Sequence, residues 1–352
     1  MTYEEALSSI TELDQEAMDK AQARLDSLTK PLGSLGRLED IVKQIAGITK
    51  KSFPSVKNKA VIIMCADNGV VEEGVSSCPK SVTSSVTQNF TKGFTGINVF
   101  TRHSGADTVV VDIGVDDDID CPGVLDRKIR KGTWNIAKGP AMTRDEAIAA
   151  IEAGIEMVDI LSKRGVNLLG TGEMGVGNTT TSSAIAAVLT GNSEEDMVGK
   201  GAGLSQEDFQ NKIEVVKRAI EINKPDPSDA LDVLIKLGGF DIAGLTGCFL
   251  GAAAYRIPIL IDGFISSAAA LVAIKLKPLC RNFIFPSHGS AEPGNRRIMQ
   301  ELGFEPMLNL GMRLGEGTGA ALAFHVIDAA VTAYNQMGTF GDANIEQYQP
   351  LE

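Results

Sequence analysis

From Lys59 onward, short apolar runs rich in Val and Ile alternate with longer segments of helical periodicity. The runs that predict strands are 60–66, 108–113, 166–170, 257–261 and 282–285. The segments that predict helices lie near 80–103, 143–164, 179–190, 205–222, 241–254, 264–275 and 317–336. Strands that alternate with helices in this way form parallel βαβ units in a sheet buried on both faces. The chain is therefore predicted to be an α/β protein with a Rossmann-like, mostly parallel sheet and helices on both faces.

The two ends of the chain fall outside this alternation. Helical periodicity predicts further helices at 3–25 and 38–50. We predict that residues 1–30 and 335–352 pack together as a small helical domain. Residues 31–334 then form the large α/β catalytic domain.

The charge balance argues against nucleic acid and membranes as partners. The chain has 45 acidic and 33 basic residues, a net charge of −12, whereas nucleic-acid binding needs clustered Lys and Arg. The longest uncharged apolar stretches, Ile242–Tyr255 and Gly263–Ile274, are shorter than the roughly 20 residues of a bilayer span. The acidic, amphipathic N-terminal segment lacks the basic start and apolar block of a signal peptide. We predict a cytoplasmic protein.

The cysteines and histidines show no spacing typical of a disulfide framework or a metal site. They are Cys65, Cys78, Cys121, Cys248, Cys280, His103, His288 and His325. No CxxC pair occurs, and the histidines are far apart in sequence. We predict no metal and no cofactor.

The segment Gly170–Thr181, GTGEMGVGNTTT, links a predicted strand to a predicted helix. Its glycines let backbone N–H groups approach a phosphate, and the helix N-terminus at Asn178 and Thr179 favours an anion. It is not a Walker A loop, because no Gly-Lys-Ser/Thr follows. It satisfies GxGxxG, but no acidic residue ends a strand about 20 residues further on. The alternative is that the glycines only permit a tight strand-to-helix turn.

A second glycine cluster, Gly199–Gly203, precedes the predicted helix that carries Lys212. This cluster is placed to contact the other side of the same phosphate, with the lysine as a source of positive charge. The alternative for Lys212 is a solvated helix face, where most lysines lie.

A third segment, Leu310–Ala320, places Glu316 between two glycines just ahead of the helix predicted at 317–336. The glycines leave space for a flat ligand. The helix N-terminus favours the ionised carboxylate, which is the form that a proton acceptor needs. The alternative is that Glu316 only compensates the helix dipole.

Six segments together resemble the nicotinate-nucleotide:dimethylbenzimidazole phosphoribosyltransferase family, which activates the lower base of cobalamin. They are KPLGSLGRLE at 30–39, ADNGVVEEGVSSCPKSVT at 66–83, GTGEMGVGNTTTSSA at 170–184, GKGAGL at 199–204, PSHGSAEPG at 286–294 and LGMRLGEGTGAALA at 310–323. The resemblance extends from Lys30 to about Tyr334. It implies transfer of a phosphoribosyl group from nicotinate mononucleotide to 5,6-dimethylbenzimidazole or a related base, phenols included. The products are α-ribazole 5′-phosphate, or the matching α-riboside phosphate, and nicotinate.

The resemblance also implies a role for individual residues, with Glu316 as the catalytic base. It assigns the nucleotide and its phosphate to Glu173, Met174, Gly175, Val176, Gly177, Asn178, Thr179, Gly201, Ala202, Gly203, Lys212, Arg313 and Gly315. It assigns the incoming base to Ser76, Cys78, Pro79, Val86, Asp262, Ser290 and Leu314. The implied assembly is a homodimer, or a heterodimer with a related chain, and it needs no metal.

Two positions depart from the pattern of the relatives. Cys78 stands where they have Ser, and Val86 where they have Gln. Two polar contacts to the base are then weaker or missing, which predicts a broader choice of base.

Two other functions fit part of the pattern. A nucleotide-dependent oxidoreductase would use the glycine-rich loop for a pyrophosphate, but it requires the acidic residue that is missing here. A non-catalytic nucleotide-binding module would explain the phosphate loops and leave Glu316 without a role.

Overall fold

The computed structural model describes residues 1–200 and 203–347, and a parallel sheet lies at its centre. The strands are β1 (Lys59–Ala66), β2 (Ala106–Gly114), β3 (Val124–Asp126), β4 (Leu168–Met174), β5 (Ile259–Ile261) and β6 (Ile284–Pro286). Their order is β3-β2-β1-β4-β5-β6, and every neighbouring pair is parallel. The order reverses between β1 and β4, as in doubly wound sheets. The predicted α/β class is confirmed.

Helices cover the sheet on both sides. In the described residues they are α1 (Tyr3–Ser9), α2 (Gln15–Ser27), α3 (Arg37–Thr49), α4 (Ser81–Phe90), α5 (Gly96–Ser104), α6 (Arg144–Lys163), α7 (Asn178–Thr190), α8 (Glu194–Met197), α9 (Gln206–Asn223), α10 (Ala230–Leu237), α11 (Phe240–Ala254), α12 (Phe264–Leu276), α13 (Pro293–Leu302), α14 (Thr318–Gln336) and α15 (Phe340–Ala343). Short 3₁₀ helices span Gly69–Glu73 and Pro278–Phe283. Within the same residues we find no helix with the length and hydropathy of a membrane span.

Strand β4 continues to Met174, four residues beyond its predicted end. Gly170 and Gly172 therefore belong to the strand and not to a phosphate loop. A Cβ at Gly170 would lie 3.1 Å from a side chain of α14, and one at Gly172 would lie 2.3 Å from the carbonyl oxygen of Glu316. These glycines allow α14 and the segment before it to approach the sheet. The tight turn consists only of residues 175–177.

Two predicted helices are each divided in two. The segment 3–25 breaks before α2, where the Asp14 side chain accepts a hydrogen bond from the Ala17 N–H (2.8 Å). The segment 80–103 breaks before α5, where Thr95 forms a capping box with Asn98. A side chain that satisfies the first N–H groups of a helix starts a new helix there. The pattern also did not predict β3, α8, α10, α13 and α15.

The two ends of the described chain contact each other. Leu28 and Thr339 form an isolated antiparallel bridge. The Arg24 Nε donates to the carbonyl oxygen of Tyr334 (3.1 Å). Helix α2 packs on α3, and α1 packs on α6 and α11. That these ends form a separate small domain stays a prediction.

Helices α6 and α11 cross closely because glycines lie at their contact. A Cβ at Gly247 would lie 1.9 Å from the carbonyl oxygen of Ile151. We expect Gly247→Ala to lower the free energy of unfolding by about 1–3 kcal/mol, because the backbone of α6 must move away. Urea denaturation measures this. Gly139→Ala is the control, since a Cβ there would meet no atom within 4 Å; equal stability of the two variants would contradict the expectation.

Candidate active site

A cavity of about 290 Å³ lies at the carboxyl ends of the central strands. Its walls come from the segments that follow β1, β4, β5 and β6, from the segment that precedes α14, and from α9. Strand β4 borders the point where the strand order reverses. Doubly wound sheets bind their ligands at this place.

Most of the residues predicted for the site line this cavity. They are Ser76, Cys78, Val86, Glu173, Met174, Gly175, Val176, Gly177, Asn178, Thr179, Lys212, Ser290, Arg313, Leu314, Gly315 and Glu316. Pro79, Asp262 and Gly203 do not line it. Gly201 and Ala202 lie outside the described residues. The structure thus brings together segments that are up to 240 residues apart in sequence.

Glu316 lies on an unusual backbone turn. Gly315, Glu316 and Gly317 all have left-handed conformations, with φ of 82°, 61° and 99°. The turn carries the Glu316 carboxylate to the N-terminus of α5, where it accepts a hydrogen bond from the Ile97 N–H (2.9 Å). Burial raises the pKa of Glu316 above its usual value of 4.5, although the N–H groups of Gly96 and Ile97 act in the opposite direction.

Asp262 occupies the N-terminus of α14, the place that the sequence pattern predicts for Glu316. Its Oδ1 accepts hydrogen bonds from the N–H groups of Gly319 (2.7 Å) and Ala320 (3.1 Å). Its Oδ2 accepts from the Gly317 N–H (3.1 Å). Both oxygens are occupied by these hydrogen bonds, and Asp262 does not line the cavity. Asp262 therefore holds the backbone at the start of α14, next to Glu316.

Glu173 lies next to the Glu316 turn, near the end of β4. Its Oε2 accepts a hydrogen bond from Asn178 Nδ2, and its Oε1 lies against Gly315, where a Cβ would come within 2.5 Å of it. Burial and, to a smaller extent, the nearby carboxylates of Asp241 and Asp262 raise its pKa to about 8, against the opposite effect of the Asn178 amide and the Glu316 N–H. Glu173 therefore carries a proton at neutral pH in the unliganded protein.

Lys212, on α9, is a buried lysine. Its side chain is 1% exposed, so the alternative that Lys212 lies on a solvated helix face is wrong. The ammonium donates hydrogen bonds to Thr179 Oγ1 (2.9 Å) and to the carbonyl oxygen of Gly199 (3.2 Å). Burial lowers the pKa of Lys212 to about 8, although Glu292 acts in the opposite direction. This cation lies beside the N-terminus of α7, and both attract a phosphate.

Comparison with known proteins decides the family. A family model described as phosphoribosyltransferase matches residues 10–345. The nicotinate-nucleotide–dimethylbenzimidazole phosphoribosyltransferases of Ruminiclostridium cellulolyticum and Acetivibrio thermocellus are 76% and 69% identical to this chain. The matches cover 100% of both chains in the first case, and 98% of this chain and 99% of the relative in the second. The chain belongs to this phosphoribosyltransferase family.

A solved structure agrees with this family assignment. The nictinate-nucleotide-dimethylbenzimidazole phosphoribosyltransferase of Thermus thermophilus superposes with a TM-score of 0.90 at 38% identity, over 96% of this chain and 100% of that chain. A structure described as CobT from the same organism gives 0.91 over 95% of this chain and 100% of that chain. The resemblance stated from the sequence, and the prediction of a phosphoribosyltransferase enzyme, are confirmed.

Three residues with ionisable side chains that line the phosphoribosyltransferase cavity were not predicted: Lys200, His288 and Glu292. His288 is 4% exposed and follows β6, and Glu292 is 8% exposed at the start of α13. All three stand within segments that carry the family resemblance. Their position in those segments was the available signal, since none of them forms a motif by spacing alone.

Histidines that are remote in sequence meet between α5 and α14. The rings of His103 and His325 lie 4.8 Å apart between centroids. The described residues contain no group of three or more His, Cys, Asp or Glu side chains that could hold a metal ion.

Proposed function

We propose that this chain transfers the phosphoribosyl group of nicotinate mononucleotide to 5,6-dimethylbenzimidazole or a related base, for the nucleotide loop of cobalamin. The names of its relatives support this reaction. One observation carries the site assignment: a single cavity has the Glu316 carboxylate on one wall and a buried cation beside a helix N-terminus on another. The first is suited to a proton and the second to a phosphate.

The phosphate of the nucleotide binds at the N-terminus of α7. The turn at residues 175–177 exposes backbone close to this end, and Lys212 lies beside Thr179 at 2.9 Å. A phosphate dianion gains from the helix dipole and from a charge-assisted hydrogen bond. Fixing the phosphate also fixes the ribose, so C1′ is held between the leaving and the incoming ring.

Glu316 accepts the proton that the reaction releases. One ring nitrogen of the benzimidazole attacks C1′ and forms the new C–N bond as the bond to the pyridinium nitrogen breaks. Nicotinate leaves with the bonding electron pair, so its ring nitrogen becomes neutral and needs no acid. The attacking ring gains positive charge, and its other N–H loses a proton to the carboxylate. Attack on the face opposite the leaving group converts the β-nucleotide to an α-riboside.

The raised pKa of Glu316 suits this role. A carboxylate whose pKa lies above 4.5 is a stronger proton acceptor than an exposed glutamate. Its hydrogen bond to the Ile97 N–H holds the carboxylate in place before the base arrives.

The assembly that we propose is a homodimer, or a heterodimer with a related chain, in the cytoplasm. Phe94, Leu310 and Leu314 are 62%, 60% and 59% exposed. Leu314 also lines the cavity. Large apolar side chains left exposed beside a site are typical of an interface.

The choice of base tests the function and the two unusual pocket residues together. Because Cys78 and Val86 offer few polar contacts, we expect dimethylbenzimidazole, benzimidazole, adenine and a phenol to react at rates within about tenfold of one another. Cys78→Ser with Val86→Gln should favour the benzimidazoles by about tenfold, the worth of one hydrogen bond. Equimolar competition, with products identified by mass and by anomeric NMR signals, measures both.

Two outcomes of this competition would count against the proposal. An overwhelming preference of the unaltered enzyme for dimethylbenzimidazole would show that Cys78 and Val86 do not broaden the choice. Absence of nicotinate release with every base would refute the transfer reaction. Family membership lends no support to the oxidoreductase or to the non-catalytic module.

A further inference from the structure

A chain of buried polar groups runs from the core to the wall of the cavity at Glu173. It begins at Asp241, the second residue of α11, which is 0% exposed. Its Oδ2 accepts a hydrogen bond from Asn178 Nδ2 (3.0 Å), and the same amide nitrogen donates to Glu173 Oε2. Glu173 in turn lies against the Glu316 turn, since a Cβ at Gly315 would lie 2.5 Å from Glu173 Oε1. Asp241 is thereby connected to the proposed proton acceptor although it does not line the cavity.

We propose that Asp241 is a positioning residue of the transfer reaction, which acts through Asn178 and Glu173 on the backbone of Glu316. This inference rests on the proposed role of Glu316. The left-handed backbone of Glu316, with φ of 61°, is unfavourable for a residue with a side chain. Such a conformation persists only where the surroundings hold it. The packing of Glu173 Oε1 against Gly315, the residue before Glu316, is one of these restraints.

The surroundings of Asp241 are shaped around its carboxylate. A Cβ at Gly239 would lie 2.3 Å from Asp241 Oδ1 and 2.4 Å from Asn68 Oδ1, and a Cβ at Gly175 would lie 2.4 Å from the Ala66 carbonyl oxygen and 2.8 Å from Asp241 Oδ2. Both glycines therefore leave room for this carboxylate and for its neighbours Asn68 and Ala66. An acidic residue that only compensates the dipole of α11 has no need of such space or of a bond to Asn178.

The charges along the chain agree with a coupled unit. Burial raises the pKa of Asp241 to about 6, whereas that of Glu173 is about 8. At neutral pH Asp241 is ionised and Glu173 carries a proton, so the buried pair holds a single negative charge. The proton on Glu173 removes one negative charge from beside the Glu316 turn. Asp262, a further buried carboxylate, already lies next to this turn.

The test is Asp241→Asn, which keeps the shape and one oxygen acceptor but removes the charge and one acceptor. We expect kcat to fall about 10- to 100-fold, the usual effect of a small misplacement of a reacting group. KM for nicotinate mononucleotide should change less than threefold. In Gly239→Ala the added methyl group would displace the Asp241 carboxylate, and we expect the same changes in kcat and KM. This variant replaces Asp241→Asn as the test if Asp241→Asn does not fold.

Thr246→Val is the matched control on the same helix. Its hydroxyl is buried and donates to the carbonyl oxygens of Ile242 (2.9 Å) and Ala269 (3.3 Å). This variant should lower the melting temperature and leave kcat unchanged. A loss of kcat in Thr246→Val equal to that in Asp241→Asn would reduce Asp241 to a structural role.

A double variant separates this inference from the proposed function. If Asp241 acts through Glu316, Asp241→Asn should cause little further loss of kcat in the Glu316→Gln background. A full additional loss there, or a raised KM with unchanged kcat in the single variant, would overturn the inference. An unimpaired Glu316→Gln enzyme would instead refute the role of Glu316.

Discussion

Glu316→Gln is expected to slow the chemical step by about 10²- to 10⁴-fold, the usual cost of losing a general base. The amide has the same size, and its oxygen can still accept the hydrogen bond from the Ile97 N–H. Folding and nucleotide binding should therefore change little. Single-turnover rates with saturating base measure the chemical step, and a titration with nicotinate mononucleotide measures binding.

The alternative role for Glu316 is a cap on α5, and its loss would have another signature. A lost cap costs stability of about 1 kcal/mol and leaves turnover largely intact. Melting temperature and rate together distinguish the two roles. If Glu316→Gln kept the full rate while Glu173→Gln or Asp262→Asn abolished it, with all three folded, the base would have to be reassigned.

The pH profile gives a further check on the same residue. Burial raises the pKa of Glu316 from 4.5, so the carboxylate form is lost at a higher pH than for an exposed glutamate. The acid limb of the kcat profile is expected above pH 4.5, and it should be missing in whatever activity Glu316→Gln retains. An unchanged acid limb in the variant would assign that limb to another group.

Lys212→Met is expected to weaken the binding of nicotinate mononucleotide by about 10- to 150-fold. A hydrogen bond to a charged group is worth about 1.5–3 kcal/mol, and methionine fills the buried space without the charge. Isothermal titration measures the affinity. The matched control is Lys217→Met on the same helix, where the ammonium pairs with Glu195 (2.6 Å) outside the cavity. Equal weakening by both variants would show only a general effect of charge.

The pH dependence of binding follows from the buried ammonium. Lys212 binds a phosphate in its charged form, and its pKa in the unliganded protein is about 8. The phosphate becomes a dianion above about pH 6. Affinity should therefore be highest between about pH 6 and 8 and decrease above that range, and Lys212→Met should lack the decrease. A wild-type affinity that stays constant from pH 7 to 9 would contradict this.

Lys212 also gives a sign for stability. Its pKa is lower in the folded protein than its ordinary value of 10.5, so the buried charge opposes folding below about pH 8. As the pH rises from 8 towards 10.5, this penalty disappears and the free energy of unfolding increases. A bound phosphate reverses the effect, because it favours the charged form.

The sequence by itself determined the α/β class and the place of the site. Runs such as Ala60–Ala66 are apolar throughout, and only a strand covered on both faces buries every side chain of such a run. All strand ends of a parallel sheet then meet at one edge, so the polar segments after β4, β5 and β6 had to share a cleft. The family motifs are recognised from residue identity alone, so they could also be identified without a structure.

Only the tertiary structure decided which group serves which partner. Local pattern indicates that the N-terminus of α14 attracts a carboxylate, yet Asp262, 55 residues before Gly317 in the chain, takes that place. Glu316 is thereby left for the N-terminus of α5, and its pKa rises. The local pattern likewise predicts that Lys212 is an ordinary exposed lysine of a helix, but the packing of α9 on α7 buries it. Burial and competition among charges depend on contacts between distant segments, and no local pattern contains them.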